Sequence, residues 1–287
     1  MKMELGKLLG SGSGSDVYEY GDDKVCKLYK NSIGSIDYEY RKTIDAYNNG
    51  LPAPRIYEII EYDGRNGIIM DRINGTPYIK ILFNHIAESH KKGMSDSEIF
   101  NAPVNLEIIY STAKVLNTLH QTKCNLSESA AESLKTSCKY NRYITQEEKE
   151  IVNTLIDNLP VGDSVCHGDP NPGNIIMQNN QIFLIDWNNC VKGSPLYDLT
   201  EYMLMMKYSD TDIDSFEVPE CIMDFIREYK EEYARVFLDY YVKLTDIDLS
   251  GMDMWVIPLL VSKMGGNNSP QKQETLLRDI RKGLRAV

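Results

Sequence analysis

Between Val165 and Met177 the chain reads VCHGDPNPGNIIM. Pro170, Pro172 and Gly173 oppose both helix and paired strand, so they fix an irregular loop. In such a loop Asp169 and Asn174, separated by four residues, can converge. A carboxylate can accept the proton of an attacking hydroxyl. An asparagine carbonyl oxygen is a hard ligand of the kind a magnesium ion takes. A second carboxylate, Asp186, follows the apolar run Ile182-Phe183-Leu184-Ile185, at the expected end of a strand. One base and two oxygen ligands suit phosphoryl transfer to a hydroxyl. Taken alone, HGD in a Pro/Gly-rich stretch reads equally well as a turn between strands. Asn174, Asp186 and the later GSPLYDL of Gly193–Leu199 together favour the catalytic reading.

These residues need elements to hold them. Lys7–Leu9 leads into GSGSGSD, and VYEYGDDKVCKLY gives two β-prone runs around Gly-Asp-Asp. Ser35–Asn48 reads as a helix with Ser35 as its cap, closed by Gly50, and LPAP forces extended chain. IYEIIEYDGRNGIIMDRI predicts a second hairpin around Asp-Gly and Asn-Gly turns. Beyond Asn74-Gly75 the pattern turns helical. Leu106, Ile109, Ala113, Leu116 and Leu119 keep helical spacing, and Thr145 with Glu148 forms a capping-box signature. The loop at 165–177 and the runs IIM and IFLI, across an Asn-Asn turn, interrupt the helices. We therefore expect a β-rich N-terminal lobe over residues 1–74 and a mostly helical lobe over 75–287, with a nucleotide bound between them.

Composition narrows the function classes. The formal net charge is 31 − 42 = −11. Binding to nucleic acid or anionic lipid through the whole surface is thereby disfavoured. A cationic small molecule would be attracted, and the acidity equally serves solubility. The six cysteines, Cys26, Cys124, Cys138, Cys166, Cys190 and Cys221, form no CxxC pair. Reduced thiols, no apolar leader and no membrane-length apolar run predict a soluble cytoplasmic protein.

The order Asp, four residues, Asn, hairpin, Asp resembles the kinase catalytic loop and its metal-binding aspartate. His-Gly-Asp at 167–169, Ile-Asp-Trp at 185–187 and GSPLYDL are similar to those of the aminoglycoside phosphotransferase and choline kinase-like family. The resemblance covers most of the chain. It implies an α+β, two-lobed protein kinase-like fold with a small antiparallel N-lobe sheet. It further implies a phosphate-covering loop at Gly10-Ser11-Gly12-Ser13-Gly14-Ser15 and Val17 against the adenine. Lys27 in VCKLY would bind phosphates, paired with Glu39, or with Glu58 as the weaker match. A base-binding hinge would fall at Met70-Asp71-Arg72-Ile73, and Asp198 would brace the catalytic loop. Three positions depart from the family. Ser15 replaces a third loop glycine of protein kinases, Asn171 a second histidine, and Asn188 a glutamate.

The resemblance implies a small-molecule kinase moving the γ-phosphoryl group of ATP or GTP, with Mg2+, to an acceptor hydroxyl. An aminoglycoside antibiotic is the first acceptor, and choline, a sugar or an amino alcohol the alternative. A non-catalytic nucleotide-binding module is the rival from another class. Asp169 is the catalytic residue, and Asn174 and Asp186 hold the metal. His167 is expected to brace the loop, and His120 to be a packed or hydrogen-bonded histidine. The acidic residues from Asp210 to Asp253 read either as an acceptor pocket or as a solvated helix face.

Overall fold

A computed structural model describes residues 4–12, 14–30, 35–123, 126, 128–208, 218–265 and 268–286. Ser13, Cys124, Asp210, Asp212, Asp214 and Glu217 lie outside them, as does the Ser35 side chain. The chain is mixed α+β, with an antiparallel N-terminal sheet and a helical C-terminal part. It divides into two units. One comprises Met1–Pro77 with Gly173–Cys190, the other Tyr78–Pro172 with Val191–Val287.

The first unit is built on a five-stranded sheet of order β1-β2-β3-β5-β4. Its strands are β1 (Leu8–Ser11), β2 (Ser15–Tyr20), β3 (Lys24–Tyr29), β4 (Ile56–Tyr62) and β5 (Arg65–Asp71). The β4–β5 turn is Asp63-Gly64, both at positive φ, which suits the right-handed twist of a hairpin. Asn66-Gly67, expected to turn as well, lies inside β5, because Asp63-Gly64 already closes the hairpin. Helix α1 (Ser35–Asn48) presents Ile36, Tyr40 and Ile44, spaced four apart, to Val25, Tyr29, Ile56, Ile68 and Met70 of the sheet. Cys26, Leu28, Ile60 and Ile69 form a second cluster with Tyr18, Tyr20 and Tyr62. Burying each large aliphatic side chain stabilises the fold by roughly 1.5–3 kcal/mol.

Residues 173–190 were expected in the second lobe, but they pack with the first unit. Strand β6 (Thr76–Pro77) pairs β8 (Ile175–Gln178), which pairs β9 (Gln181–Leu184). A Cβ on Gly75 would sit 2.2 Å from the Met177 carbonyl oxygen, so only glycine allows this approach.

The second unit is helical around a small ladder of β7 (Ser164–Cys166) and β10 (Val191–Gly193). Its helices are α2 (Tyr78–Lys91), α3 (Asp96–Phe100), α4 (Pro103–Gln121), α5 (Ala130–Tyr140), α6 (Gln146–Asp157), α7 (Leu196–Lys207), α8 (Glu220–Thr245), α9 (Asp253–Lys263) and α10 (Pro270–Leu284). The Thr145/Glu148 capping box at α6 forms as expected. Ile109, Leu116, Leu119, Leu199, Phe237 and Trp255 are among its buried core residues. No described helix is long and apolar enough to cross a membrane.

Candidate active site

Alternation along β3 puts Cys26 and Leu28 on one face and Val25 and Tyr29 on the other. Lys27 shares the α1 face with Val25 and Tyr29, so it is not a solvent-facing strand lysine. Its side chain is 13% exposed, against 2% for Glu39 of α1. The Lys27 ammonium donates to Glu39 Oε1 at 2.6 Å and Oε2 at 2.8 Å, and to Asp186 Oδ1 at 3.3 Å. Glu58, the rival partner, is exposed on β4. The Tyr29 hydroxyl donates to Glu39 Oε2. Asn188 Nδ2 donates to both Glu39 Oε2 and Asp186 Oδ1, each at 3.1 Å. Burial alone would lower the Lys27 pKa, but the Asp186 and Glu39 carboxylates more than offset it, so the ammonium stays charged. Burial pushes Glu39 up, and the Lys27 ammonium draws it back. Burial and the adjacent Glu39 push the Tyr29 phenol up, so it remains a donor.

Asp186 adopts left-handed backbone, φ 64° and ψ 62°, between β9 and the 3-10 turn Trp187–Asn189. Trp187 is fully buried and donates Nε1–H to the Leu184 carbonyl at 2.9 Å. The register pairs Ile175 with Leu184, and Ile185 N donates to Asn174 O at 3.0 Å. Asn174 and Asp186 therefore occupy the same end of the β8–β9 hairpin. Both hydrogen bonds described for Asp186 fall on Oδ1. A carboxylate and an amide oxygen at one hairpin end are donors that fit a hard divalent cation.

The β1–β2 hairpin carries the glycine-rich loop. Lys30 Nζ donates to Gly12 O at 2.6 Å and Ser11 Oγ at 2.9 Å, and Lys30 N donates to Gly14 O. Ser11 Oγ donates to Asp16 at 2.7 Å, and Arg65 to the same carboxylate at 2.8 Å. The Arg65 guanidinium, helped by Ser11, holds Asp16 down at a pKa of about 2. A Cβ added at Gly10 or Gly14 would meet nothing within 4 Å, and at Gly12 only Ser15 O at 3.9 Å. The loop's own packing does not demand glycine there. Val17 stands directly opposite Lys27 in register and packs on the α1-face cluster. At the expected hinge Met70 is buried. Asp71 N donates to Arg55 O and Arg72 N to Asp23 O, while the Arg72 guanidinium meets Glu19 at 3.0 Å. Ile73 directly follows these two committed amides.

In the second unit the loop after β7 is held through its backbone. His167 N and Gly168 N donate to the two oxygens of Asp198, at 2.8 and 2.7 Å. Asp198 sits fully buried in the first turn of α7. Gly168 has φ 78°, which explains glycine between His167 and Asp169. His120 Nε2 meets Asp198 Oδ2 at 3.0 Å, and its Nδ1 meets the Tyr241 hydroxyl at 2.6 Å. Burial pushes Tyr241 beyond the usual phenol range, so the phenol donates to Nδ1 and the imidazole donates Nε2–H to the carboxylate. His167 donates Nδ1–H to the Asp169 carbonyl at 3.1 Å. Asn171 Nδ2 donates to Asp169 Oδ1 at 2.9 Å. Glu201, one turn beyond Asp198, is buried and pairs with Lys263; burial pushes its carboxyl up against the pull of that lysine.

The phosphotransferase enzyme family, APH, matches residues 6–237. The chain belongs to this family. It is a phosphotransferase, and solved structures share its fold. Aminoglycoside phosphotransferase APH(4)-Ia is 12% identical, with 99% of this chain and 93% of that chain covered at a TM-score of 0.58. Amicoumacin kinase hAmiN, in complex with AMP-PNP, Ca2+ and Ami, is 14% identical, with coverage of 100% and 90% and a TM-score of 0.58. The gentamicin–APH(2")-IIa complex is 20% identical, with coverage of 99% and 91% and a TM-score of 0.53. No curated protein matches the sequence.

The structure of this phosphotransferase brings Lys27, Glu39 and Asp186 together and sets Asn174 at the same hairpin end as Asp186. Sequence reasoning gave Tyr29, Asn171 and Asn188 no role. His120 is buried and hydrogen-bonded, as expected, but its partners Asp198 and Tyr241 were not foreseen. For Asn171 and Asn188 the signal was present, since each departs from the family's residue type within a motif. Tyr29 lies two residues past Lys27, hence on the same strand face. The acidic residues of α8 divide: Asp224 pairs with Arg227, and Glu232 and Asp239 pair with Arg235, all on an exposed face.

Proposed function

We propose that the chain transfers the γ-phosphoryl group of ATP, or GTP, to a hydroxyl of a small molecule, with an aminoglycoside as the first acceptor. The observation that carries this is Lys27 held between Glu39 at 2.6 Å and Asp186 at 3.3 Å. Such a fixed ammonium neutralises phosphate charge. In this reading Asp169 orients the acceptor hydroxyl and takes its proton, with Asn171 fixing one carboxylate oxygen. The acceptor oxygen forms a bond to the γ-phosphorus as the bond from that phosphorus to the β–γ bridging oxygen breaks, releasing the nucleoside diphosphate. Asn174 and Asp186 would hold a magnesium ion, which offsets phosphate charge when bound. The loop from Gly10 to Gly14, Ser13 included, would cover the phosphates with its backbone N–H groups. Val17 would pack on the base. The hinge Met70-Asp71-Arg72-Ile73 would bind the base through backbone groups other than the N–H groups of Asp71 and Arg72, which are already bonded. Catalysis rests on positioning and electrostatics.

Neighbours support the donor and acceptor classes. One APH(4)-Ia complex contains AMP-PNP and hygromycin B, another ADP and hygromycin B, and the hAmiN complex an ATP analogue with Ca2+. The arginine-paired face of α8 supplies little support for a cationic acceptor. The described cysteines are free thiols, which fits our placement of the protein in the cytoplasm. The test is transfer from ATP, and separately GTP, with magnesium, to a panel of aminoglycosides, choline, sugars and amino alcohols. Phosphorylation of an aminoglycoside is the expected result. Phosphorylation only of a metabolite would replace the acceptor and keep the reaction, and nucleotide binding with no transfer at all would point to the non-catalytic module.

A further inference from the structure

Asn188 sits in the 3-10 turn after Asp186, and its amide nitrogen lies 3.1 Å from Glu39 Oε2 and 3.1 Å from Asp186 Oδ1. The orientation of the amide follows from its neighbours. Turned over, its oxygen would face two carboxylates, whereas the NH2 group offers one hydrogen to each. Lys27 bridges the same two side chains, reaching Glu39 and Asp186. The pair of carboxylates is therefore spanned twice, once by a cation and once by a neutral donor. The turn itself is fixed from two sides. Buried Trp187 anchors it through the Leu184 carbonyl, and Lys42 donates to the Asn188 carbonyl at 2.9 Å. Asp186, in left-handed backbone that a non-glycine residue adopts at a cost, needs such support.

We propose that Asn188 is a positioning residue for phosphoryl transfer, a neutral bridge that locks Asp186 Oδ1 against Glu39 and keeps Oδ2 outside the bridge. This rests on the function proposed above. In this chain, where relatives carry a glutamate, the neutral amide of Asn188 donates to two carboxylates that a third anion would repel. A carboxylate here would place three anions around the single Lys27 ammonium and would remove both donated hydrogens. The inference thus predicts an order of damage that packing alone would reverse. Asn188→Asp nearly preserves shape but replaces a donor by a repelling acceptor. Asn188→Ala loses the donor and adds no charge.

The experiment measures AMP-PNP binding by calorimetry across a magnesium titration, for the full chain and both variants, with thermal melts and steady-state KM and kcat beside it. Asn188→Asp should weaken nucleotide binding by about tenfold or more, the worth of a hydrogen bond to a charged group, and raise the magnesium needed for half-saturation. Asn188→Ala should fall between Asp and the wild type, and the KM for the acceptor should not move. If Ala proves worse than Asp, the residue acts by filling space and the inference is overturned. Equal binding by all three chains also overturns it while leaving the proposed function intact. A wild-type chain that binds no nucleotide with magnesium would overturn both.

Discussion

Asp186 and Asp169 both stand on irregular backbone just past a short strand, yet they are held differently. Asp186 carries its own left-handed strain, is 41% exposed at its side chain, and is fixed by other side chains, Lys27 and Asn188. Asp169 follows a left-handed glycine, and its loop is fixed by main-chain N–H groups bonded to a buried aspartate. Side-chain bonds to an ammonium can be exchanged for bonds to phosphate. Main-chain bonds to a buried carboxylate cannot be exchanged without unfolding the loop. On the function proposed above, the Lys27 ammonium would exchange its Asp186 bond for phosphate on nucleotide binding, while the Asp198 brace would stay in place.

The largest expected effect breaks the brace. Asp198→Asn puts an amide NH2 among three donors, the N–H groups of His167, Gly168 and His120. It should cost about 3 kcal/mol or more in chemical denaturation and lose transfer with it. A chain of wild-type stability would show that the brace is dispensable. Next, Lys27→Met should abolish most transfer and also lower the melting temperature, because Glu39 is left buried without its cation. The double variant Lys27→Met, Glu39→Gln should regain stability and not transfer. Recovery of both would mean that the pair serves the fold alone. The smallest effect concerns the glycine-rich hairpin. Asp16 has a folded pKa of about 2, below its ordinary 3.8, so its contribution is full above 3.8 and fades as the pH falls toward 2. Asp16→Asn should lower the urea midpoint at pH 7, with the gap to wild type closing across that acid range. A constant gap would assign the effect to packing.

Much of this was legible because its signals are local. The β2–β3 hairpin follows from Gly-Asp-Asp, α1 from its closing Gly50, and α6 from Thr145 and Glu148. The spacing of Asp169, Asn174 and Asp186 was legible for the same reason. What escaped depends on partners distant in sequence. The pairing of Thr76–Pro77 with Ile176–Met177 joins two residues too few to show a period to a strand about a hundred positions away, and it carries 173–190 into the first unit. His120 and Asp198 meet across 78 residues, and Asn188 reaches Glu39 across 149. Asn66-Gly67 misled because an equally good turn signal stood three residues earlier.

On the proposed function, Asp169 does chemistry that the Lys27 corner cannot supply. The direct test compares Asp169→Asn with the wild type in two measurements on the same preparation, AMP-PNP affinity with magnesium and single-turnover transfer from ATP to the best acceptor. Nucleotide affinity should be unchanged and transfer lowered by about 10²–10⁴-fold, the range for loss of a general base. Transfer at the wild-type rate in that variant would contradict the proposed role of Asp169.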